Sequence, residues 1–296
     1  MTSNDWPALH FKEWEATCDT LHMWVQIVGK TRMTLAPPEN HWWHVALFVT
    51  PLGLTTSPIP FAGGTFEAEF DFLTHNLHIR TSHGESHAIP LYPRAVADFY
   101  AEYMACLRSL GIDVQFRPVP EEFDDTTPYD QDRHHASYEM EPVESFRRIL
   151  INCDRALKKY KGGFVGKSSP VHFFWGSFDL AVTRFCGRPA PPRPGAGKVM
   201  AEAYSHEEIS CGFWPGDRRY PHAAFYAYAS PAPAGLEKQA VRPKCAAWDA
   251  NMGEFLLRYD DVRAAGSPEQ LILEFCESTY HSAATLAAWD EALERR

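Results

Sequence analysis

The groups in this sequence that could do chemistry are imidazoles and carboxylates set among aromatic residues. Asp179 is the sharpest case. It stands in Gly176-Ser177-Phe178-Asp179-Leu180-Ala181-Val182, a near-continuous apolar run. A carboxylate there is costly unless paired or hydrogen-bonded. Read on a strand of period two, it shares a face with Trp175, Ser177, Ala181 and Thr183. Arg184 falls near the opposite phase, so a partner from another strand is expected. Such a group either closes a structural ion pair or orients a histidine or a substrate.

His41 and His44 flank Trp42-Trp43, and neutral imidazoles are common metal ligands. Three residues apart on a regular strand they would point to opposite faces, so a shared metal would require a turn or a bulge. His172 opens the run His172-Phe173-Phe174-Trp175, and His206-Glu207 places an imidazole beside a carboxylate. That adjacency gives acid–base potential without fixing a geometry. His22, Gln26 and Lys30 recur every four residues on a helical pattern, which puts a polar row on one face. The row is either solvated or aimed into a pocket. Asp130, Asp132, His134 and His135 form a polar loop cluster, which is more often solvated than functional.

Several signatures are absent. Gly162-Gly163-Phe164-Val165-Gly166-Lys167-Ser168 is one residue short of a P-loop and lies between a helix and a strand in the wrong order. Gly195-Ala196-Gly197-Lys198 lacks the leading glycine and the hydroxyl residue. There is no H-E-x-x-H, no G-x-S-x-G and no G-x-G-x-x-G. No cofactor follows from a recognised motif, and the metal question stays open.

The elements that must position these residues follow from periodicity. Trp14 to about Met33 reads as a helix stopped by Pro37-Pro38. Trp43, Val45, Leu47 and Val49 then alternate with Trp42, His44, Ala46 and Phe48 as on a strand. Gly53 to Gly64 is rich in turn residues. Thr65–Leu73, Leu77–Thr81 and Ala88–Leu91 read as an antiparallel meander, and Val96–Leu110 as a helix closed by Gly111. Arg117 to Tyr138 is polar and proline-containing. Pro142 to about Tyr160 reads as a helix and Val171–Phe185 as one long strand. Glu207–Phe213, Ala223–Ala229 and Glu254–Leu257 read as strands, and Pro268 to about Leu293 as a helix.

The result is an α+β fold of two similar halves, each a helix, an antiparallel β-meander and a helix, packed as one unit. The expected division is a first half at 1–116, a linker at 117–138 and a second half at 139–296. His41-Trp42-Trp43-His44 can be set against His172-Phe173-Phe174-Trp175, and at the same offset Pro58-Ile59-Pro60 falls on Pro189-Ala190-Pro191. Val28-Gly29-Lys30-Thr31 also echoes Val165-Gly166-Lys167-Ser168 with a gap. An internal duplication would place a site at the shared interface.

Bulk composition bounds the class. The chain has 296 residues, 45% hydrophobic and 14% aromatic with nine Trp, enough for a sizeable core. A net charge of -10 argues against a nucleic-acid partner. Seven scattered cysteines without a C-x-x-C suggest thiols in a reducing compartment, and Met1 to Pro7 shows no signal-peptide pattern. No apolar window is long enough to span a membrane. A cytoplasmic location is expected.

Several of these segments together resemble a bacterial family, domain of unknown function 5996. They are Leu21-His22-Met23-Trp24, Gln26 to Lys30, Asn40 to Val45, Leu54 to Pro60, Ala97 to Tyr100, Ser169 to Phe185, Tyr204-Ser205-His206-Glu207 and Gly212 to Gly216. The resemblance runs from about Trp6 to Trp289 and implies no established activity. It falls on His22, His41, His44, His172, Asp179 and His206, which favours a pocket. His134 departs from the pattern associated with that loop, where His135 alone is expected.

The reading that follows is an enzyme, or enzyme-like protein, holding a small molecule between the halves. His44, His172, Asp179, His206 and Glu207 would be the acid–base or metal-ligating groups. His22, Gln26, Lys30, Trp43, Lys167, Trp175, Arg184 and Trp214 would bind substrate, with Lys30, Lys167 and Arg184 holding an anionic group. The alternative is a non-catalytic binding or scaffold protein whose histidines are structural. Convergence on one cavity separates the two.

Overall fold

A computed structural model describes residues 6–294. Met1–Asp5, the start of the stretch read for a leader, lie outside the described residues. The first half contains α1 (Phe11–Leu35), the strands β1 (Phe48–Val49), β2 (Gly53–Thr55), β3 (Ile59–Phe61), β4 (Gly64–Asp71), β5 (Asn76–Thr81) and β6 (Ser86–Pro90), and α2 (Val96–Ser109). The second contains α3 (Met140–Gly162), β7 (His172–Phe174), β8 (Asp179–Pro189), α4 (Lys198–Ala203), β9 (His206–Trp214), β10 (Ala224–Ser230), β11 (Ala247–Asp249), β12 (Glu254–Arg258), α5 (Tyr259–Ala264) and α6 (Pro268–Leu286). Each half runs helix, antiparallel meander, helix: an α+β fold of two similar halves.

The first sheet has the order β1-β2-β4-β5-β6, with β3 also on β4, and the second β11-β12-β10-β9-β8-β7. They meet edge to edge, where Leu47 N donates to Phe173 O (2.9 Å) and Phe173 N to Leu47 O (2.7 Å). Gly53 opens β2 and Asp179 opens β8 on either side of this junction, so the halves correspond outward from it. α3 and α6 pack on the second sheet, while α1 contacts β3 and α2. Phe66, Ala68 and Phe70 of β4 point into the core, as their alternation requires. α1 is buried all round from Thr17 to Arg32, because the segment between the halves lies on it. There Tyr129 is fully buried, and the carbonyls of Asp132 and His135 accept from the first free amides of α2.

Three expectations change. Trp42–Phe48 is not a strand: Asn40–Val45 is a 3-10 turn in which His41 (φ 54°) and Trp42 (φ 61°) take left-handed backbone. Alternating aromatics imitate a strand there, but only Phe48–Val49 finds a neighbour in the first sheet. Val171–Phe185 is broken by a turn at 175–178, with Phe178 at φ 60°, so Trp175 and Ser177 leave the strand and only Ala181 and Thr183 share the face of Asp179. The last helix ends at Leu286, followed by a short 3-10 turn at Glu291–Leu293. The sequence echoes are not structural equivalents either. Val28–Thr31 is helical and Val165–Ser168 is not, while Pro60 lies in β3 and its counterpart Pro191 in no strand, and Pro189 pairs with His206 whereas its counterpart Pro58 lies outside β3.

Candidate functional site: a carboxylate–tyrosine face on the second sheet

Strand register sorts the second sheet into two faces. Ala181, Gly212, Tyr226 and Leu256 lie side by side across β8, β9, β10 and β12. Their neighbours Leu180, Val182, Cys211, Phe213, Phe225, Phe255 and Leu257 point the other way, into the main core. The outer face therefore carries Asp179 and Thr183 from β8, Glu208, Ser210 and Trp214 from β9, Tyr226 and Tyr228 from β10, and Glu254 from β12. Five of these eight side chains are ionisable, yet Asp179, Glu208, Ser210 and Thr183 are all buried.

Asp179 stands at one end of this face, where β8 begins. Its Oδ1 accepts from Ser177 Oγ at 2.5 Å, which the turn delivers, and its Oδ2 accepts from the Tyr226 hydroxyl. Tyr226 reaches β8 from β10 by lying over Gly212 of β9, where a Cβ would come within 2.5 Å of the phenol oxygen. Burial raises the pKa of Asp179 and outweighs its two hydroxyl bonds. Burial likewise pushes Tyr226 well up, with the Asp179 charge adding to it.

The surroundings are acidic and aromatic. Glu208 is raised by burial to about 8, partly offset by Arg193. Glu254 is raised to about 7 by burial and then by Asp179. Glu122 is raised by burial first and Asp179 second. The hydroxyls of Tyr204 and Tyr228 meet at 3.1 Å. Arg193 lies over the Tyr204 ring, 3.7 Å from its centroid, and donates to Ser230 Oγ at 2.6 Å. Carboxyl groups with acidities moved towards neutrality, tyrosine hydroxyls and ring faces together can take a cation and exchange protons with it.

The residues expected to form one site divide into several places. Lys30 donates to Glu121 Oε1 at 2.5 Å and lies 5.9 Å from the Trp175 ring centroid. Gln26 clamps the Glu121 backbone at 2.9 and 2.8 Å and accepts from Tyr129. His22 Nε2 faces the carbonyls of Trp175 and Gly176 at 2.9 Å each, so it donates, and burial lowers its pKa to about 4. The helix row thus fixes the 175–178 turn that presents Asp179, and Gly29 leaves room for the Trp175 ring.

His41, Trp43, Lys167 and His206 form a second group. His41 Nδ1 donates to Ala203 O at 2.8 Å and Nε2 accepts from Lys167 at 2.7 Å, while His206 stands edge-on 5.4 Å away. His44 accepts from Glu39 N at 3.1 Å. His172 is fully buried, neither ring nitrogen has a hydrogen-bond partner, and burial holds it at about 3. Glu207 binds Arg188 at 2.6 Å, and Trp214 stacks on Tyr220. Arg184 points to the inner face and pairs with Glu277. His135 bonds Asp132 at 2.7 Å in the segment between the halves.

The histidines therefore do not share one cavity, and Arg184 is on the wrong side of the sheet to hold a substrate with Asp179. A groove of about 500 Å³ does open between the halves, but of these residues only Trp43 lines it. Among the described residues no group of three or more His, Cys, Asp or Glu is placed to hold a metal ion. No local sequence motif marks Glu208, Glu254, Tyr228 and Gly212 as site residues. The available signal was the alternation Glu208-Ile209-Ser210-Cys211-Gly212 opposite Tyr226 and Tyr228, two apart on the next strand.

The chain belongs to the family of unknown function DUF5996, which it matches over residues 6–295. No curated protein and no solved structure matches it.

Proposed function

We propose that the outer face of the second sheet binds a small cationic molecule, an amine or guanidine with an apolar body, and that Asp179 with Tyr226 is its acid–base pair. One observation carries this. Asp179 is a buried carboxylate answered by two hydroxyls and no cation, and its charge adds to the burial that raises Glu254 and Glu122. An entering cation would supply the missing charge, and protons would leave as it binds. Arg193 on Tyr204 is an internal instance of the same recognition at the far end of the face.

Calorimetric titration with benzylamine and with arginine methyl ester, repeated in buffers of different ionisation enthalpy, tests it. Saturable binding with proton release is expected, and both should vanish in Asp179→Asn. Equal heats from wild type and that variant would sink the proposal.

A second reading, a non-catalytic scaffold, draws on the histidines. His22, His41 and His44 each bond backbone groups in different surroundings, as structural histidines do. In that case no amine binds and Asp179→Asn is merely tolerated. The matched order of elements also supports reading 1–116 and 139–296 as duplicated copies about 117–138, with the Asp179–Tyr226 pair in the second copy only. Seven free thiols support a reducing, cytoplasmic setting. Among the described residues no helix is long and apolar enough to cross a membrane.

A further inference from the structure

The groove between the halves has its own chemistry, independent of the carboxylate–tyrosine face. Its volume is about 500 Å³, within the range of small-molecule sites. Trp43, Phe48 and Val49 of the first half and Val171 of the second make it apolar. α3 adds Asp154, Lys158 and Lys161 at helical spacing, so all three line the same space. Asp154 is 9% exposed; its Oδ2 holds Lys158 at 2.7 Å, and its Oδ1 has no hydrogen-bond partner. Lys161 has no ion-pair partner among the described residues. Further cations stand behind the rings: Arg32 is 5.5 Å from the Phe48 centroid and Lys167 is 5.5 Å from that of Trp43. In a chain of net charge -10 this is a local concentration of positive charge around one unanswered carboxylate oxygen.

We infer that this groove is a small-molecule site for a zwitterion with an apolar body, an amino acid or a short apolar peptide, whose ammonium bonds Asp154 and whose carboxylate meets Lys161. An apolar anion alone would leave the Asp154 oxygen without a donor, and an apolar amine alone would face the surrounding cations. The two backbone positions lie about 10 Å apart along the helix. The flexible lysine stem shortens that gap, which suits the termini of a dipeptide better than those of a single amino acid.

Calorimetry on the whole chain decides it, with leucyl-leucine, leucine, N-acetyl-leucyl-leucine and leucyl-leucine amide as probes. The first should bind with a Kd below about 1 mM. Removing the ammonium or the carboxylate should each weaken binding at least about tenfold, or 1.4 kcal/mol. The acetylated probe should bind Asp154→Asn and wild type alike, and the amide should bind Lys161→Met and wild type alike. Leucine binding more tightly than the dipeptide would keep the zwitterion and assign a single amino acid. No heat from any probe, or equal heats from all four in all three proteins, overturns the inference. Lys161→Met changes a half-buried side chain, so it remains informative if Asp154→Asn folds poorly.

Discussion

The two faces of the second sheet bury opposite charges and treat them differently. On the inner face Arg184 is 1% exposed, and both its terminal nitrogens lie 3.2 Å from the Glu277 carboxylate. Its guanidinium is sandwiched by Tyr160 at 3.5 Å and Tyr280 at 4.4 Å. On the outer face Asp179 is nearly as buried and has hydroxyls where Arg184 has a counter-charge. Burial of a paired and stacked ion is what a fold can retain for stability. Burial of an ion without its opposite is what a fold retains for something that arrives later.

The largest effect should come from the inner face. Arg184→Ala removes the ion pair, leaves two tyrosine faces without their filler, and should cost about 3–5 kcal/mol in urea unfolding. Benzylamine affinity of the folded fraction should not change. A cost below about 1 kcal/mol would mean that Arg184 is not structural in this sense and would remove the contrast.

The outer face should answer in the opposite way. Asp179→Asn keeps an acceptor oxygen for one of the two hydroxyls and turns its NH2 to the other, which can accept instead, while removing the buried charge, so stability should stay within about 1 kcal/mol of wild type or rise. Benzylamine binding should fall by at least about a hundredfold, near 2.7 kcal/mol. Tyr226→Phe instead strips one of two donors from the carboxylate and should destabilise by about 1–3 kcal/mol. If Asp179→Asn unfolds the protein as Arg184→Ala does, the two faces are equivalent and the site is lost.

The pH dependence sharpens the comparison further. Glu208 and Glu254 have folded values of about 8 and about 7 against 4.5 for the free group. The native state keeps their protons where the unfolded chain has released them, so the stabilisation these two groups give is full below 4.5 and is lost as pH rises through 7 to 8. His22 and His172, at about 4 and about 3 against 6.5, have the opposite sign. Their stabilisation is present above 6.5 and is lost as the pH falls towards those values. Each group contributes at most about 1.4 kcal/mol per pH unit. Urea midpoints measured across pH should show Glu208→Gln flattening the alkaline limb and His172→Leu the acid limb. Unchanged limbs would show these groups to be ordinarily solvated.

What the sequence made legible follows the same division. Phe66, Ala68 and Phe70 alternate because one side of β4 is core, and that local pattern was readable. So was Asp179, an acid in an apolar run. The partner of Asp179 was not readable, because Tyr226 comes from two strands away across Gly212, a contact that only sheet register creates. The row His22, Gln26, Lys30 was visible as a polar stripe, but its target, the carbonyls of the 175–178 turn and the backbone of Glu121, is set by tertiary packing. The segment Trp42–Phe48 misled because aromatics alternate there for another reason. Left-handed backbone at His41 and Trp42 turns the chain from α1 to the junction with β7.

The smallest effect concerns His44, which its position beside two tryptophans makes the natural choice for a catalytic base. The structure gives its ring one bond, accepting from Glu39 N at 3.1 Å, and burial lowers its pKa. A glutamine side chain offers an acceptor oxygen to the same amide. His44→Gln should therefore shift stability by less than about 1 kcal/mol. It should leave benzylamine affinity and proton release unchanged, because the one bond of the His44 ring is to Glu39 N and not to Asp179, Ser177 or Tyr226. A loss of amine binding comparable to that of Asp179→Asn would move the chemistry to the junction of the halves, and the contrast between the faces would then describe packing alone.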